Sequence, residues 1–171
     1  MNAHNCFPPA SLPDAEILIL GSMPGRVSLE KNQYYAHPRN LFWHFMQLFF
    51  AIDVNAPYQE RISDLNKNKV ALWDVLSQCE REGSLDVNIN IQTEQANDIA
   101  GFLSQHKGIT KICFNGQKSF SSFKKHILKK MPELEQRYEL VVLSSTSPAN
   151  ASIPREKKLA QWRNALLSVS G

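Results

Sequence analysis

Four short apolar runs, spaced through the chain and separated by helical patterns, restrict the fold more than any other feature. They are Ile17-Leu18-Ile19-Leu20, Val70-Ala71-Leu72-Trp73, Lys111-Ile112-Cys113-Phe114 and Leu140-Val141-Val142-Leu143. Unbroken apolar runs of this length read as strands buried on both faces, the signature of a parallel sheet. Between them lie helical stripes. Leu41, Phe45, Leu48, Phe49 and Ile52 fall on one helix face, with His44 and Gln47 on the other; Ile62 and Leu65 point inward from a segment opened by Pro57. Further helices are expected from about Glu94 to Gln105, burying Ile99, Phe102 and Leu103, and from Gln117 to about Lys130, stopped by Pro132. The last begins near Pro154, with Leu159, Trp162, Leu166 and Val169 as its stripe. Residues 1–16 and 77–93 show little periodicity and read as irregular.

Alternating strands and helices require right-handed crossovers. The expected architecture is α/β, a three-layer α/β/α sandwich around a four-stranded, mainly parallel sheet, in one domain spanning 1–171. Ligand sites in such sheets lie outside the carboxyl ends of the strands. That rule gathers four stretches at one rim: the segment from Gly21, Trp73-Asp74, Asn115-Gly116-Gln117, and Ser144 to Asn150.

Composition excludes several classes. No stretch of eighteen apolar residues exists, and the start Met1-Asn2-Ala3-His4-Asn5-Cys6 lacks the charged and apolar regions of a signal peptide, so a cytoplasmic protein is expected. Cys6, Cys79 and Cys113 have no CxxC spacing and read as reduced thiols; neither they nor the five histidines form an evident zinc set, and no metal is expected. The net charge of +3 permits a polyanionic partner without demanding one. Two basic clusters, Lys124, Lys125, His126, Lys129 and Lys130, and Arg155, Lys157 and Lys158, read singly as solvated helix faces.

The loop chemistry is more specific. Gly21-Ser22-Met23-Pro24-Gly25 follows the first strand and allows close backbone approach to a ligand, yet it is neither GxGxxG nor GxxxxGK[ST]. Tyr34-Tyr35-Ala36-His37-Pro38-Arg39-Asn40-Leu41-Phe42-Trp43 comes next. Its tyrosines could stack on a base, worth about 1–3 kcal/mol, or plug the loop onto the core. Asn40 could cap the following helix, hold a water or read a base edge. His37 could serve as a general acid or as a hydrogen-bonded structural residue. After the fourth strand stands Ser144-Ser145-Thr146-Ser147-Pro148-Ala149-Asn150.

Together GSMPG, HPRNLFW and STSPANA, in this order at the first and last strand ends, resemble the uracil-DNA glycosylase superfamily. The form of the motifs is most similar to the hypoxanthine-DNA glycosylase branch, related to the mismatch-specific glycosylases. The resemblance spans essentially the whole chain. It implies a monofunctional, monomeric DNA glycosylase hydrolysing the N-glycosidic bond of a deaminated or mispaired base flipped out of DNA, with hypoxanthine ahead of uracil and no cofactor. By that resemblance Gly21, Ser22, Met23, Pro24 and Gly25 line the base pocket, Tyr35 stacks on the base, and Asn115 makes a further base contact. Asn40 and His37 would be catalytic. Ser145, Ser147, Pro148, Ala149 and Asn150 would fill the gap in the duplex, with Arg155 and Lys157 on phosphates. One departure stands out: other branches carry Asp or Asn before the proline of the first motif to position water, and this chain has Met23, whose thioether cannot. A DNA binder of the same fold without chemistry is the main alternative; a small-molecule hydrolase using His37 with a serine lacks a GxSxG elbow.

Overall fold

The structure is a computed structural model that describes residues 2–81 and 86–167. In chain order the elements are β1 (Asn2–Asn5), β2 (Ile17–Gly21), α1 (Arg26–Lys31), α2 (Phe42–Phe50), α3 (Tyr58–Lys67), β3 (Val70–Asp74) and β4 (Leu76–Arg81). There follow a 3-10 turn at Asp86–Asn88, then β5 (Ile89–Ala96), α4 (Ile99–Gln105), β6 (Lys111–Asn115) and α5 (Gln117–Phe123). A π-helical turn at Lys124–Leu128 extends α5, and α6 (Leu134–Arg137), β7 (Glu139–Leu143) and α7 (Arg155–Leu167) complete the chain.

The four apolar runs form one sheet in the order β3-β2-β6-β7, every pair parallel. Both faces are buried, and the strand period of two divides them. Leu18, Leu20, Ala71, Ile112 and Phe114 pack with Ile99 and Phe102 of α4 and Phe123 of α5. Ile19, Leu72, Cys113 and Leu143 pack with Phe42, Phe45 and Met46 of α2, Leu65 of α3 and Trp162 of α7. The three-layer sandwich is therefore as expected, with a sheet that is wholly rather than mainly parallel.

A second sheet was not legible. β1, β4 and β5 pair antiparallel in the order β1-β4-β5, so residues 2–5 and most of 77–93 are extended rather than irregular. The helix expected from Glu94 starts at Ile99, because 89–96 is strand and the Asp98 carboxylate caps the helix by accepting from Gly101 N at 2.9 Å. The polar run Ile89–Ala96 has no clean alternation, and its pairing with β4 carries register shifts between Leu76 and Glu80. Such a strand is specified by its partner rather than by its own pattern. On α2 the buried residues are Phe42, Trp43, Phe45 and Met46; Leu48, expected inside, is 52% exposed. The helix expected to run to Lys130 is α5 plus the π turn. On α7, Trp162 and Leu166 are buried and Leu159 packs beside them, while Val169 lies outside the described residues. No helix among the described residues is long and apolar enough to cross a membrane.

Candidate active site

At the carboxyl end of the parallel sheet the chain encloses a cavity of about 820 Å³, within the roughly 300–1,000 Å³ typical of small-molecule sites. Its wall is built by the 21–28 segment, the 34–40 segment, Asp74 at the end of β3, Asp86, Asn115 at the end of β6, and 145–150.

Gly21 is fixed by space. It pairs with Asp74 in the sheet, and a Cβ there would stand 2.5 Å from Asp74 Oδ1 and 3.3 Å from the Tyr35 hydroxyl. The floor of the cavity is thus a close meeting of a strand end, a carboxylate and a phenol. Beyond it the segment read as open loop contains the short helix α1, and Ser28 on that helix accepts from Ala36 N at 3.1 Å. That bond ties the first wall to the second. Met23 lines the cavity, yet its side chain belongs to the core cluster beneath the sheet.

The two tyrosines divide their possible roles. Tyr34 is the plug: it is 4% exposed, its hydroxyl donates to Pro8 O at 2.8 Å, and its carbonyl accepts from Trp43 Nε1 at 2.9 Å. Tyr35 lines the cavity with its ring 4.2 Å from that of Phe42, so only its opposite face can meet a ligand. Its φ of 56° is in the left-handed region, a conformation that costs a side-chain-bearing residue about 1 kcal/mol or more and recurs at functional sites. Burial, then the nearby Asp74 charge, push its phenol well above the usual range, with Asn115 opposing. The phenol is therefore a neutral donor.

Asn40 Oδ1 accepts from Phe42 N at 2.9 Å, capping α2. That bond uses one lone pair of the oxygen and fixes the orientation of the amide, so Asn40 can offer the cavity its Nδ2 donor. His37 is tied locally: its carbonyl accepts from Asn40 N, and its Nδ1 accepts from Arg39 N at 3.1 Å. That contact leaves Nε2 as the protonated nitrogen of the neutral ring.

Asn115 was expected to contact the base. The structure brings it to the cavity wall but engages its amide at both ends with Thr146: Oδ1 accepts from Thr146 N and Nδ2 donates to Thr146 Oγ1, each at 3.0 Å. Thr146 O in turn accepts from Leu41 N at 3.0 Å. Asn115 is thus a strut joining β6, the 145–150 loop and the start of α2. Gly116 permits the approach; with φ of 100° it packs where a Cβ would lie 3.2 Å from Ser145 Cβ.

The 145–150 loop is held by its own hydroxyls and from below. Ser145 Oγ accepts from Ser147 N, and Ser147 Oγ from Ala149 N. Lys158, expected to be solvated, is 3% exposed, and its ammonium donates to Ser145 O and Asn150 O. Burial draws its pKa down. Trp162 Nε1 donates to Ser144 O at 2.9 Å, anchoring the loop to α7. Arg155 lines a smaller hollow of about 180 Å³ beside the main cavity, whereas Lys157 is exposed and lines neither.

Sequence reasoning gave Asp74, Thr146 and Lys158 no individual role in the site, although it placed Asp74 and Thr146 at the rim, and it did not mention Asp86. Asp74 had a signal, since it closes a buried strand at the rim. Asp86 had none, because the second sheet delivers it: it lines the cavity and accepts from Ser22 Oγ at 2.7 Å. Among the described residues, no group of three His, Cys, Asp or Glu side chains is arranged to hold a metal ion.

The chain is similar to known proteins over nearly its whole length. The chain is 37% identical over 160 residues to a hypoxanthine DNA glycosylase of Methanosarcina barkeri, covering 93% of this chain and 95% of that protein. It is 35% identical over 159 residues to one of Methanosarcina acetivorans, covering 91% and 93%. Its fold matches the solution NMR structure of a Methanosarcina acetivorans protein described as a candidate uracil DNA glycosylase, with a TM-score of 0.80, 31% identity, and coverage of 96% of this chain and 97% of that one. A model of the uracil DNA glycosylase superfamily matches residues 8–167, and this chain belongs to that superfamily.

Proposed function

We propose that the protein is a monofunctional DNA glycosylase that removes a deaminated base, hypoxanthine before uracil, and leaves an abasic site. The observation that carries this reading is the convergence of Tyr35, Asn40 and the Ser147–Asn150 loop on one cavity. A base inside a duplex is out of reach and must be rotated out at a cost of a few kcal/mol. Pro148 and Ala149 fill the vacated space, the Tyr35 ring receives the extruded base, and the serines of the loop hold flanking phosphates with Arg155 and Lys157. The protein works as a single domain and a monomer, in the cytoplasm.

Breaking the N-glycosidic bond builds negative charge on the base, so donors aimed at that charge in a dry cavity lower the barrier. The Asn40 Nδ2 group and the backbone amides of Ser22 to Gly25 are the donors in reach. Hypoxanthine and uracil share a lactam edge, a carbonyl beside an N–H, which adenine and cytosine replace with an amidine. The Asp74 carboxylate accepts from the lactam N–H, and the neutral Tyr35 phenol donates nearby. Among the described residues that line the cavity there is no lysine, and the nearby Lys158 ammonium is engaged by two loop carbonyls. Without an amine to form a Schiff base at C1′, the reaction ends at the abasic site.

The test is incubation with end-labelled duplexes bearing one hypoxanthine or one uracil, followed by alkali. Strand scission at hypoxanthine after alkali, and none before it, is the expected result. No alkali-labile product from either duplex overturns the reading. The buried thioether of Met23 favours a second reading, a binder of damaged DNA without chemistry; tight binding to an abasic duplex with no product from any deaminated base identifies it.

A further inference from the structure

Hydrolysis needs a group that accepts a proton from water, and the cavity offers few. Met23 cannot, its thioether being packed in the core. The Nδ1 of His37 already accepts from Arg39 N, and its other nitrogen then carries the proton. Asp74 sits at the floor, where an added Cβ on Gly21 would touch both it and the Tyr35 hydroxyl. That places it at the polar tip of the stacking ring, on the base side of the cavity. Asp86 occupies a different place. It enters from the 3-10 turn ahead of β5 and meets the cavity wall at Ser22, whose buried hydroxyl donates to its Oδ1 at 2.7 Å.

We propose that Asp86 is the general base of this site, held in position by Ser22, and that it takes the proton of the attacking water. The proposal rests on the glycosylase reading above. The Ser22 bond orients the carboxylate at the cavity wall. The charge of Asp86 is felt at the Tyr35 phenol, so the carboxylate and the stacking ring share one enclosed space. In the step itself the water oxygen bonds to C1′ and the C1′–N9 bond breaks, its electron pair leaving with hypoxanthine. The water proton passes to Asp86, and the departing base takes a proton from solvent at a ring nitrogen. Asp86 then returns its proton to solvent, and no oxidant, reductant or metal enters the balance. The same negative charge lies near the sugar as it becomes cationic, which favours the transition state over the ground state.

A general base contributes about 10²–10⁴-fold to a rate. Asp86→Asn keeps an acceptor for Ser22 but cannot take a proton, whereas Asp86→Glu keeps the carboxylate on a stem one methylene longer. Single-turnover excision of hypoxanthine and affinity for the same duplex are measured for both beside the unaltered protein, with thermal unfolding as the check on folding. The expected result is an Asp86→Asn rate lowered about 100-fold or more at unchanged duplex affinity, with Asp86→Glu recovering a substantial part of it. Equal rates for the two variants overturn the proposal, whether both are fast or both slow, because the carboxylate then does nothing that an amide does not. Unaltered protein that excises no base fails the glycosylase reading itself, a result seen before any variant is compared.

Discussion

Asn115 and Thr146 form a closed pair, with the Thr146 N–H on Asn115 Oδ1 and the Asn115 Nδ2 on Thr146 Oγ1, both at 3.0 Å and both buried. The pair links the end of β6 to the loop proposed to enter the duplex, and Leu41 N on Thr146 O carries the link to the start of α2 beside Asn40. Removing one member of a buried pair strands the other's polar atoms, at about 1–3 kcal/mol. Asn115→Ala should therefore lower unfolding free energy in urea by that amount. It should also slow excision, since the 145–150 loop and Asn40 lose a common anchor. Undiminished excision in this variant would show that the two walls keep their registry without the strut.

Asn40 carries two roles that a pair of substitutions separates. Its oxygen caps α2, and loss of such a cap costs about 1 kcal/mol. Its Nδ2 group is the proposed donor to the departing base, and loss of a donor of this kind costs about 10²–10³ in rate. Asn40→Asp keeps the capping oxygen and removes the donor. Asn40→Ala removes both. Both variants should excise hypoxanthine at least about 100-fold more slowly, while only Asn40→Ala should unfold at lower urea. A fast Asn40→Asp enzyme would return Asn40 to a purely structural role.

The division between what was and was not legible follows from how each element is specified. Ile17–Leu20 and Leu140–Leu143 announce themselves because a strand buried on both faces must be apolar at every position. Gly21 and Tyr35 were legible as candidate site residues only through the resemblance that their motifs carry, because a strand-end glycine and a loop tyrosine each have an ordinary structural use as well. The strand Ile89–Ala96 was not, since its mixed polar sequence has no clean alternation and only β4 makes it extended. Asp86 is carried on that excursion and was lost with it. Lys158 looked like one more solvated cation in the run from Arg155; its burial is decided by where the 145–150 loop settles, which no local pattern encodes.

Away from the cavity, Glu94 on β5 is buried between Lys118, to which it is ion-paired, and His126 Nε2 at 2.6 Å. This takes His126 out of the basic cluster 124–130 and joins the second sheet to α5. Burial raises the Glu94 pKa, but the hydrogen bonds and charges of His126 and Lys118 outweigh it and leave the carboxyl below its usual value. A carboxylate depressed in the folded state stabilises the fold above its unfolded pKa, and that stabilisation is lost as pH falls through the folded value. Urea unfolding should thus show the protein weakening as pH is lowered below about 4.5. Glu94→Gln should start less stable by about 1–3 kcal/mol at neutral pH and lose less in acid. Parallel pH curves for the two proteins would remove Glu94 from the account.

Lys158 holds both ends of the loop proposed to enter the duplex. Its ammonium donates to Ser145 O and Asn150 O, which bracket Ser147, Pro148 and Ala149, so one buried cation fixes both ends of the proposed wedge. Lys158→Met fills nearly the same volume without a donor and leaves two inward-facing carbonyls to be resolvated. The loop must then open or take in water. Because the parallel sheet and the Tyr35 wall do not depend on this contact, the loss should fall on the duplex rather than on the fold. The expected outcome is weaker binding to hypoxanthine-containing duplex, by about tenfold for each 1.4 kcal/mol of wedge positioning lost, with excision from a single strand, which needs no wedge, much less affected. Equal losses on single and double strands would mean that Lys158 supports the cavity as a whole and not the wedge.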